Sequence, residues 1–429
     1  MDADKRGQGS AMRKAFEHIT GLSISGHDGG DGGAPASPTA GPLRADLVDR
    51  ARALVPLLTR NAARTEADRR VPDDSIRAIQ EAGLFRIMVP RRFGGSETDI
   101  RTSIAVAREL ALGCGSTAWV LSLINACAWI TGIGTDRLQQ DVWAGNPDAR
   151  VAGAFAGEAE SRRVDGGLVV SGRWPWSSGC QHADWGLVGV PIVDAAGAVV
   201  DRGLALIPMP ELGIEDTWFV AGMKGTGSNT LVARDVTVPG HRILPLSRLL
   251  AGDHPTPHKG EALYRTAFVP VAALILIGPQ LGLATSALEF VMEKAGRRGI
   301  AYTSYDTQAA APTVQLAIAR AAMLVETAHL HADRAAADID AAARAGRTLG
   351  LVERARIRME TGYIAETARE AIRILCSAHG ASAFAETSPL QRIWRDSEVA
   401  SRHAMVNPEI NSEIYGRALL GADPITNLV

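Results

Sequence analysis

The hydrophobic period of this chain changes twice, and that switch restricts its fold more than any other feature. From Ala45 to about Ala144 apolar residues recur at three- and four-residue steps, as in Leu47, Ala51, Leu54, Leu57 and Leu58, the spacing of one helix face. Asp73 or Asp74 is placed to cap the helix that runs to Ala82. Between Val151 and Pro239 the period drops to two, with β-rich runs at 168–170, 185–190, 204–207 and 231–238 separated by Asp-Gly, Ala-Gly and glycine-rich turns. After Ile243 helical spacing returns in alanine-rich segments around 263–296, 312–343 and 351–378. This order predicts an α+β chain, mainly α: an N-terminal helical domain over 44–148, a small β-barrel over 149–242 and a C-terminal helical bundle over 243–429. Residues 26–42 are glycine, proline and small polar residues that cannot bury enough apolar surface to offset ordering entropy, so 1–43 is expected to be a disordered tail.

At 429 residues the chain suits two or three domains and can fold without staples. A net charge of −2, with acidic and basic residues interspersed, offers no polybasic stripe for nucleic acid or an anionic membrane, which leaves a small molecule as the expected partner. Four cysteines, Cys114, Cys127, Cys180 and Cys376, lie far apart with no C-x-x-C pair, so neither a metal site nor a disulfide framework is expected. The charged N-terminus MDADKRGQG is unlike a secretory signal. The most apolar stretch, 268–284, is interrupted by Pro270, Gly278, Pro279 and Gly282 and reads as a core helix, so a cytoplasmic protein is expected.

One glycine cluster, GMKGTGSNT at 222–230, could cradle phosphate, but a strand pattern follows it where a dinucleotide site needs a helix N-terminus. With no Rossmann unit and no P-loop, the chain has no evident means of binding NADH, and redox chemistry would need electrons delivered from outside.

Four segments then resemble, in order, landmarks of the acyl-CoA dehydrogenase superfamily: EAGLFRIMVPRRFGG (81–95), VSGRWPWSSGCQHADW (170–185), GMKGTGSNTLVARDVTVP (222–239) and HGASAFAETSPLQRIWRDSEVASRH (379–403). The resemblance covers nearly the whole chain after residue 43 and implies an acyl-CoA dehydrogenase-like fold, its helical bundle four-stranded and oligomeric, most often tetrameric. Many dehydrogenases of this family carry a catalytic glutamate in a C-terminal RDA-x-x-x-x-IYEG segment; counted from Arg395-Asp396, that position is Ala404, which cannot abstract a proton. One residue earlier, His403 stands where the segment is similar to that of flavin-dependent aromatic hydroxylases of this fold, the oxygenase halves of two-component systems.

This likeness implies a monooxygenase that takes reduced FMN, with FADH2 as the alternative, from a separate NAD(P)H-dependent flavin reductase. It would use O2 through a flavin C4a-hydroperoxide to hydroxylate a phenolic or polycyclic aromatic substrate. His403 would deprotonate or orient the substrate, since imidazole titrates near neutral pH. A serine of WPWSSG would face the flavin N5 and O4 edge, with Ser178 favoured over Ser177 and Trp176 flanking the ring; Ser-Ser-Gly is also an ordinary turn. Arg297 and Arg298 lie where the family uses arginine for flavin phosphate, although basic residues at a helix end also suit its dipole. Trp119 and Trp129, on one apolar helix, line the substrate cavity or pack the core. Cys127 replaces a histidine of several hydroxylases, so the substrate or its orientation would differ. No role is assigned to His379 or to Tyr264-Arg265, and His241 is expected to face solvent. The alternatives are N-hydroxylation or S-oxygenation by the same intermediate, an FAD-holding acyl-CoA dehydrogenase, and a non-catalytic ligand-binding scaffold.

Overall fold

The structure is a computed structural model that describes residues 43–429, so all but the last residue of the expected tail lies outside the described residues. Before the strands come α1 (Ala45–Ala67), α2 (Asp73–Glu81), α3 (Ile100–Gly113), α4 (Gly115–Gly132) and α5 (Asp136–Trp143). Pro72 occupies the N-cap of α2, and Asp73 and Asp74 fall inside its first turn. They therefore favour the helix through its dipole and not as caps, which corrects the expectation for that end. At α3 the cap is Asp99, whose side chain accepts from Thr102 N at 2.7 Å. The remaining free amides of that first turn, Ile100 N and Arg101 N, donate to the distant Asp340 at 3.0 and 3.2 Å. Helix α4 is apolar all round, and all but one of its residues are buried, as a central helix must be.

The strands are β1 (Val151–Ala154), β2 (Glu158–Val164), β3 (Gly167–Ser177), β4 (Trp185–Val193), β5 (Val199–Pro208), β6 (Gly213–Glu215), β7 (Asn229–Pro239) and β8 (Ile243–Pro245). The barrel is built as two separate four-stranded sheets, β1-β4-β5-β8 and β2-β3-β7-β6, whose hydrogen-bonded ladders do not join. All pairs are antiparallel except β1 with β4. Alternate residues of both sheets, among them Val170, Trp174, Val188, Ile207 and Leu231, form one buried core. Trp174 Nε1 crosses that core to donate to the carbonyl of Gly189 at 2.7 Å, which locks β3 to β4.

After the short α6 (Leu246–Leu250) and α7 (Phe268–Leu274), the chain forms α8 (Ile277–Ala295), α9 (Pro312–Arg344) and α10 (Leu351–His379), then α11 (Pro389–Ala400) and α12 (Pro408–Leu419). The segment Phe268–Ala295 is long and apolar enough to cross a membrane, but 94% of its most apolar window is buried inside the structure. Its burial is tight: a Cβ on Gly282 of α8 would lie 2.3 Å from the Arg108 carbonyl oxygen of α3. The N-terminal helices and the bundle accordingly share one core, which includes Ile104, Leu110, Leu281, Ile357 and Val406.

Candidate active site

Three elements far apart in sequence meet beside the end of β3. The β3–β7 register slips between Trp174 and Ser177, and Trp176 within the slip has φ 66°, an uncommon conformation for a bulky residue. The irregularity turns the Trp176 ring outward, leaving it 62% exposed, and seats Ser177 and Ser178 in the interior. Val120 of α4 packs against the following turn at Gly179. The residue before it on the same helix, Trp119, donates from Nε1 to Ser178 Oγ at 3.2 Å. The Trp119 ring also meets the His403 imidazole, with centroids 6.1 Å apart. Ser178, Trp119 and His403 thus form one contiguous group.

His403 follows α11 and caps the short turn Ala404–Val406, its Nδ1 accepting from Met405 N at 3.2 Å. A ring nitrogen that accepts carries no hydrogen, so the neutral ring holds its hydrogen on Nε2 and presents a donor. His403 keeps open surface beside the buried Trp119; desolvation by the surrounding protein, with the charge of Arg358 added, pushes the imidazole down to about 4. Arg358 is itself buried; its guanidinium donates to Asn411 Oδ1 and to the carbonyl of Leu428, and burial lowers it to about 10.

The turn 222–228 closes the other side of Ser178. A Cβ on Gly222 would lie 2.1 Å from the Arg395 carbonyl oxygen, so only glycine lets this turn rest on α11. The next residue, Met223, has φ 54° and donates its N–H to the buried Asp396. Burial pushes the Asp396 carboxyl up to about 6, against the pull of that backbone bond. Ser178 Oγ lies 2.7 Å from Ser228 Oγ, and Ser228 Oγ lies 2.6 Å from Thr226 Oγ1. In the sequence this segment stood as a glycine cluster and a family landmark, and Asp396 as the register point for Ala404; no role was assigned to Thr226 or Ser228, although the two hydroxyls in TGS were the available signal.

The other predicted residues divide. Trp129 does not line a cavity: it is wholly enclosed, stacks on Phe268, and its Nε1 donates to the Leu263 carbonyl and Thr266 Oγ1. The core reading of that tryptophan therefore replaces the substrate-binding one. Cys127 is buried under β1, its Sγ 2.7 Å from where a Gly153 Cβ would sit, and burial pushes its thiol up to about 12. Ser177 is fully buried and its hydroxyl has no partner among the described residues. Arg298 donates to His379 Nε2 at 2.5 Å, while Arg297 approaches Glu293 at 3.8 Å. Both arginines lie at the end of α8, apart from Ser178, Trp119 and His403. His241 does not face solvent; its Nε2 bonds Asp141 Oδ2 at 2.7 Å beside Arg242. Tyr264 gains a structural role, donating from its hydroxyl to the Met88 carbonyl at 2.9 Å.

These features fit a flavin. A planar ring can lie against the open face of Trp176, and Ser178 offers a buried hydroxyl next to it. Outside this group, a surface cleft of about 520 Å³ lies against the outer side of the same turn, between Glu66 and Arg69 of the α1 end and Phe219 and Lys224.

Residues 45–145 match the family model described as acyl-CoA dehydrogenase, N-terminal domain, and residues 274–408 match acyl-CoA dehydrogenase, C-terminal domain. The flavin-dependent monooxygenase oxygenase subunit HsaA of Rhodococcus jostii is 35% identical over 381 residues, 89% of this chain and 99% of that protein. The oxygenase component of an FADH2-dependent resorcinol hydroxylase from a Rhizobium species is 32% identical, over 88% of this chain and 95% of its own length. Among solved structures, XiaF from a Streptomyces species in complex with FADH2 and glycerol superposes with a TM-score of 0.85 at 36% identity, covering 89% of this chain and 97% of that one.

Proposed function

The chain belongs to the flavin-dependent monooxygenases of the acyl-CoA dehydrogenase family, as an oxygenase component, and from that premise we propose that it hydroxylates a phenolic or polycyclic aromatic compound with reduced flavin and O2. The flavin is FMN by preference, delivered by a separate NAD(P)H-dependent reductase, and the protein works in the cytoplasm. The observation that carries the reading is the meeting of Ser178, Trp119 and His403 beside the open ring of Trp176, with Ala404 where a dehydrogenase base would stand.

Reduced flavin, when bound, supplies the electrons that activate O2 for transfer of one oxygen atom to the ring. The protein's part is to bind, orient and keep water out. Ser178, Ser177 and Trp176 hold the flavin, and Trp119 fixes Ser178 from the side. Arg297 and Arg298, which lie apart from this group within one chain, would serve a phosphate only across a subunit interface. Trp119 and Cys127 bound the substrate side.

His403 acts as a donor. Its Nδ1 is occupied by Met405 N, which leaves the hydrogen on Nε2, and the surrounding protein with the Arg358 charge disfavours the imidazolium, so the imidazole is ill suited to take the phenolic proton. Its Nε2–H instead bonds the substrate oxygen, stabilises negative charge that develops there and fixes the ring's orientation.

An exposed stripe on α9, Leu316, Met323 and Leu330 at seven-residue spacing, supports a homo-oligomer formed through the bundle, and we assign a tetramer. The test of function is anaerobic loading with FMNH2, then mixing with oxygenated buffer containing a panel of phenols under ¹⁸O2. One labelled oxygen atom in a hydroxylated product is expected. A tightly held FAD that is bleached by an acyl-CoA would overturn the reading in favour of a dehydrogenase.

A further inference from the structure

Three hydroxyls at the flavin side of the site form a chain that ends on a carbonyl. Thr226 Oγ1 donates to the Met223 carbonyl oxygen at 2.8 Å, Thr226 Oγ1 and Ser228 Oγ are 2.6 Å apart, and Ser228 Oγ and Ser178 Oγ are 2.7 Å apart. All three side chains are buried, none more than 3% exposed, so bulk water does not enter the chain. The carbonyl end is pinned: Met223 N–H is held by Asp396, and Trp218 Nε1 donates to the same Met223 oxygen at 2.9 Å.

A hydroxyl carries one hydrogen and a carbonyl carries none. Three short oxygen–oxygen contacts therefore have three hydrogens to fill them, and one arrangement does so. Thr226 gives its hydrogen to Met223, Ser228 gives its own to Thr226, and Ser178 gives its own to Ser228. Reversing any member sets two lone pairs against each other at hydrogen-bond distance. Trp119 Nε1–H then occupies one of the two acceptor positions of Ser178. Ser178 is left with one lone pair and no hydrogen.

We propose that Thr226 and Ser228 are positioning residues that hold Ser178 as an obligate hydrogen-bond acceptor, so that the site reads the protonation state of flavin N5 and selects reduced over oxidised flavin. The inference rests on the reading of Ser178 as the flavin-facing hydroxyl. N5 of a reduced flavin bears a hydrogen and donates; N5 of an oxidised flavin has only a lone pair. An acceptor-only serine bonds the first and repels the second, whereas a freely rotating serine would serve both. The consequence suits an enzyme that receives reduced flavin from another protein, because the spent oxidised form is not retained.

The test is equilibrium binding of oxidised FMN in air and of FMNH2 under anaerobic conditions, followed by flavin absorbance and fluorescence. The proteins compared are the full chain and its Thr226→Val, Thr226→Ser, Ser228→Ala, Ser178→Ala and Ser178→Ala/Thr226→Val variants. Thr226→Val and Ser228→Ala each release the Ser178 hydrogen, and each is expected to tighten oxidised FMN by about tenfold relative to FMNH2, the worth of one hydrogen bond. Thr226→Ser keeps the wild-type ratio, and Thr226→Val has no effect on the ratio once Ser178 is alanine. Ser228→Ala cuts the chain at a second point and answers for Thr226→Val should that variant not fold. Unchanged ratios in both variants, with FMNH2 still bound by the wild type, would overturn the inference and leave the proposed function standing. A wild-type protein that binds neither form would overturn both.

Discussion

A neutral imidazole with its hydrogen on Nε2 cannot take a phenolic proton without first changing tautomer, and the bond from Met405 N to Nδ1 holds His403 in that state. His403→Gln, whose amide also donates, should therefore keep more activity than His403→Ala, for which a fall in kcat of roughly 10²-fold is expected. Steady-state hydroxylation of the best substrate checks this, and equal losses in the two variants would restore the base role. Trp129 makes the opposite prediction. Trp129→Phe removes the indole donor that the Leu263 carbonyl shares with Thr266 Oγ1 in a sealed core, at a cost of about 1 kcal/mol in urea unfolding, with no change in KM for the aromatic substrate. Both residues were singled out in the sequence. The side of its helix on which each indole or imidazole meets its partners was not, because helical spacing fixes a direction and not what waits there.

At the scale of elements, helix α9 carries two kinds of surface. Toward α10 it contributes Arg334 and His331 to the buried Glu360, which Arg356 also meets at 2.8 Å. Its outer face shows Leu316, Met323 and Leu330, each more than 60% exposed. One carboxylate that meets two arginines and a histidine stabilises the α9–α10 contact through its geometry, and Glu360→Ala should cost about 1–3 kcal/mol by removing the partner of Arg334 and one of two partners of Arg356, which keeps Asp338 at 2.6 Å, as chemical denaturation would show. Met323→Glu, on the exposed side of α9, leaves the fold of one chain intact and should shift the sedimentation coefficient from oligomer to smaller species. An unchanged coefficient would remove this face from the assembly. The strand block shows the same division at closer range. Period-two patterning located β3, β4, β5 and β7 but not β1, β2, β6 and β8, while the slip in the β3–β7 register, which sets Trp176 outward and the serines inward, depends on pairing with β7 and has no signature in β3 itself.

Across the whole molecule, buried titrating groups pull stability in opposite directions with pH. Burial holds His182 and His403 down to about 4 and His329 down to about 3. Their folded-state values lie below the ordinary 6.5, so their contribution is complete above pH 6.5 and is lost as pH falls toward 4. Asp340 and Asp396 are pushed up to about 7 and about 6, chiefly by burial, so theirs is complete below about pH 4 and is lost as pH rises through those values. The histidines outnumber the carboxyls, and the urea midpoint should fall between pH 6.5 and pH 4. Asp340→Asn, which keeps an acceptor for Ile100 N but takes up no proton, should make that fall steeper.

The sequence by itself determined the order of helices, strands and helices, because hydrophobic period is a local property that each segment carries whatever it packs against. Through the resemblance of its motifs it also pointed to Ser178, Trp119 and His403, and it placed an inert Ala404 where a dehydrogenase needs a base. Only the tertiary structure decided that Trp129 is sealed, that His241 faces Asp141, that His403 Nδ1 lies against Met405 N, and that Ser178 joins a chain of hydroxyls. All but the His403 contact depend on which atom of a distant segment lies within about 3 Å, as Met223 and Ser228 do for the hydroxyl chain. A hydrogen bond's direction is set by what the whole chain of partners can accept, and no single segment contains that information.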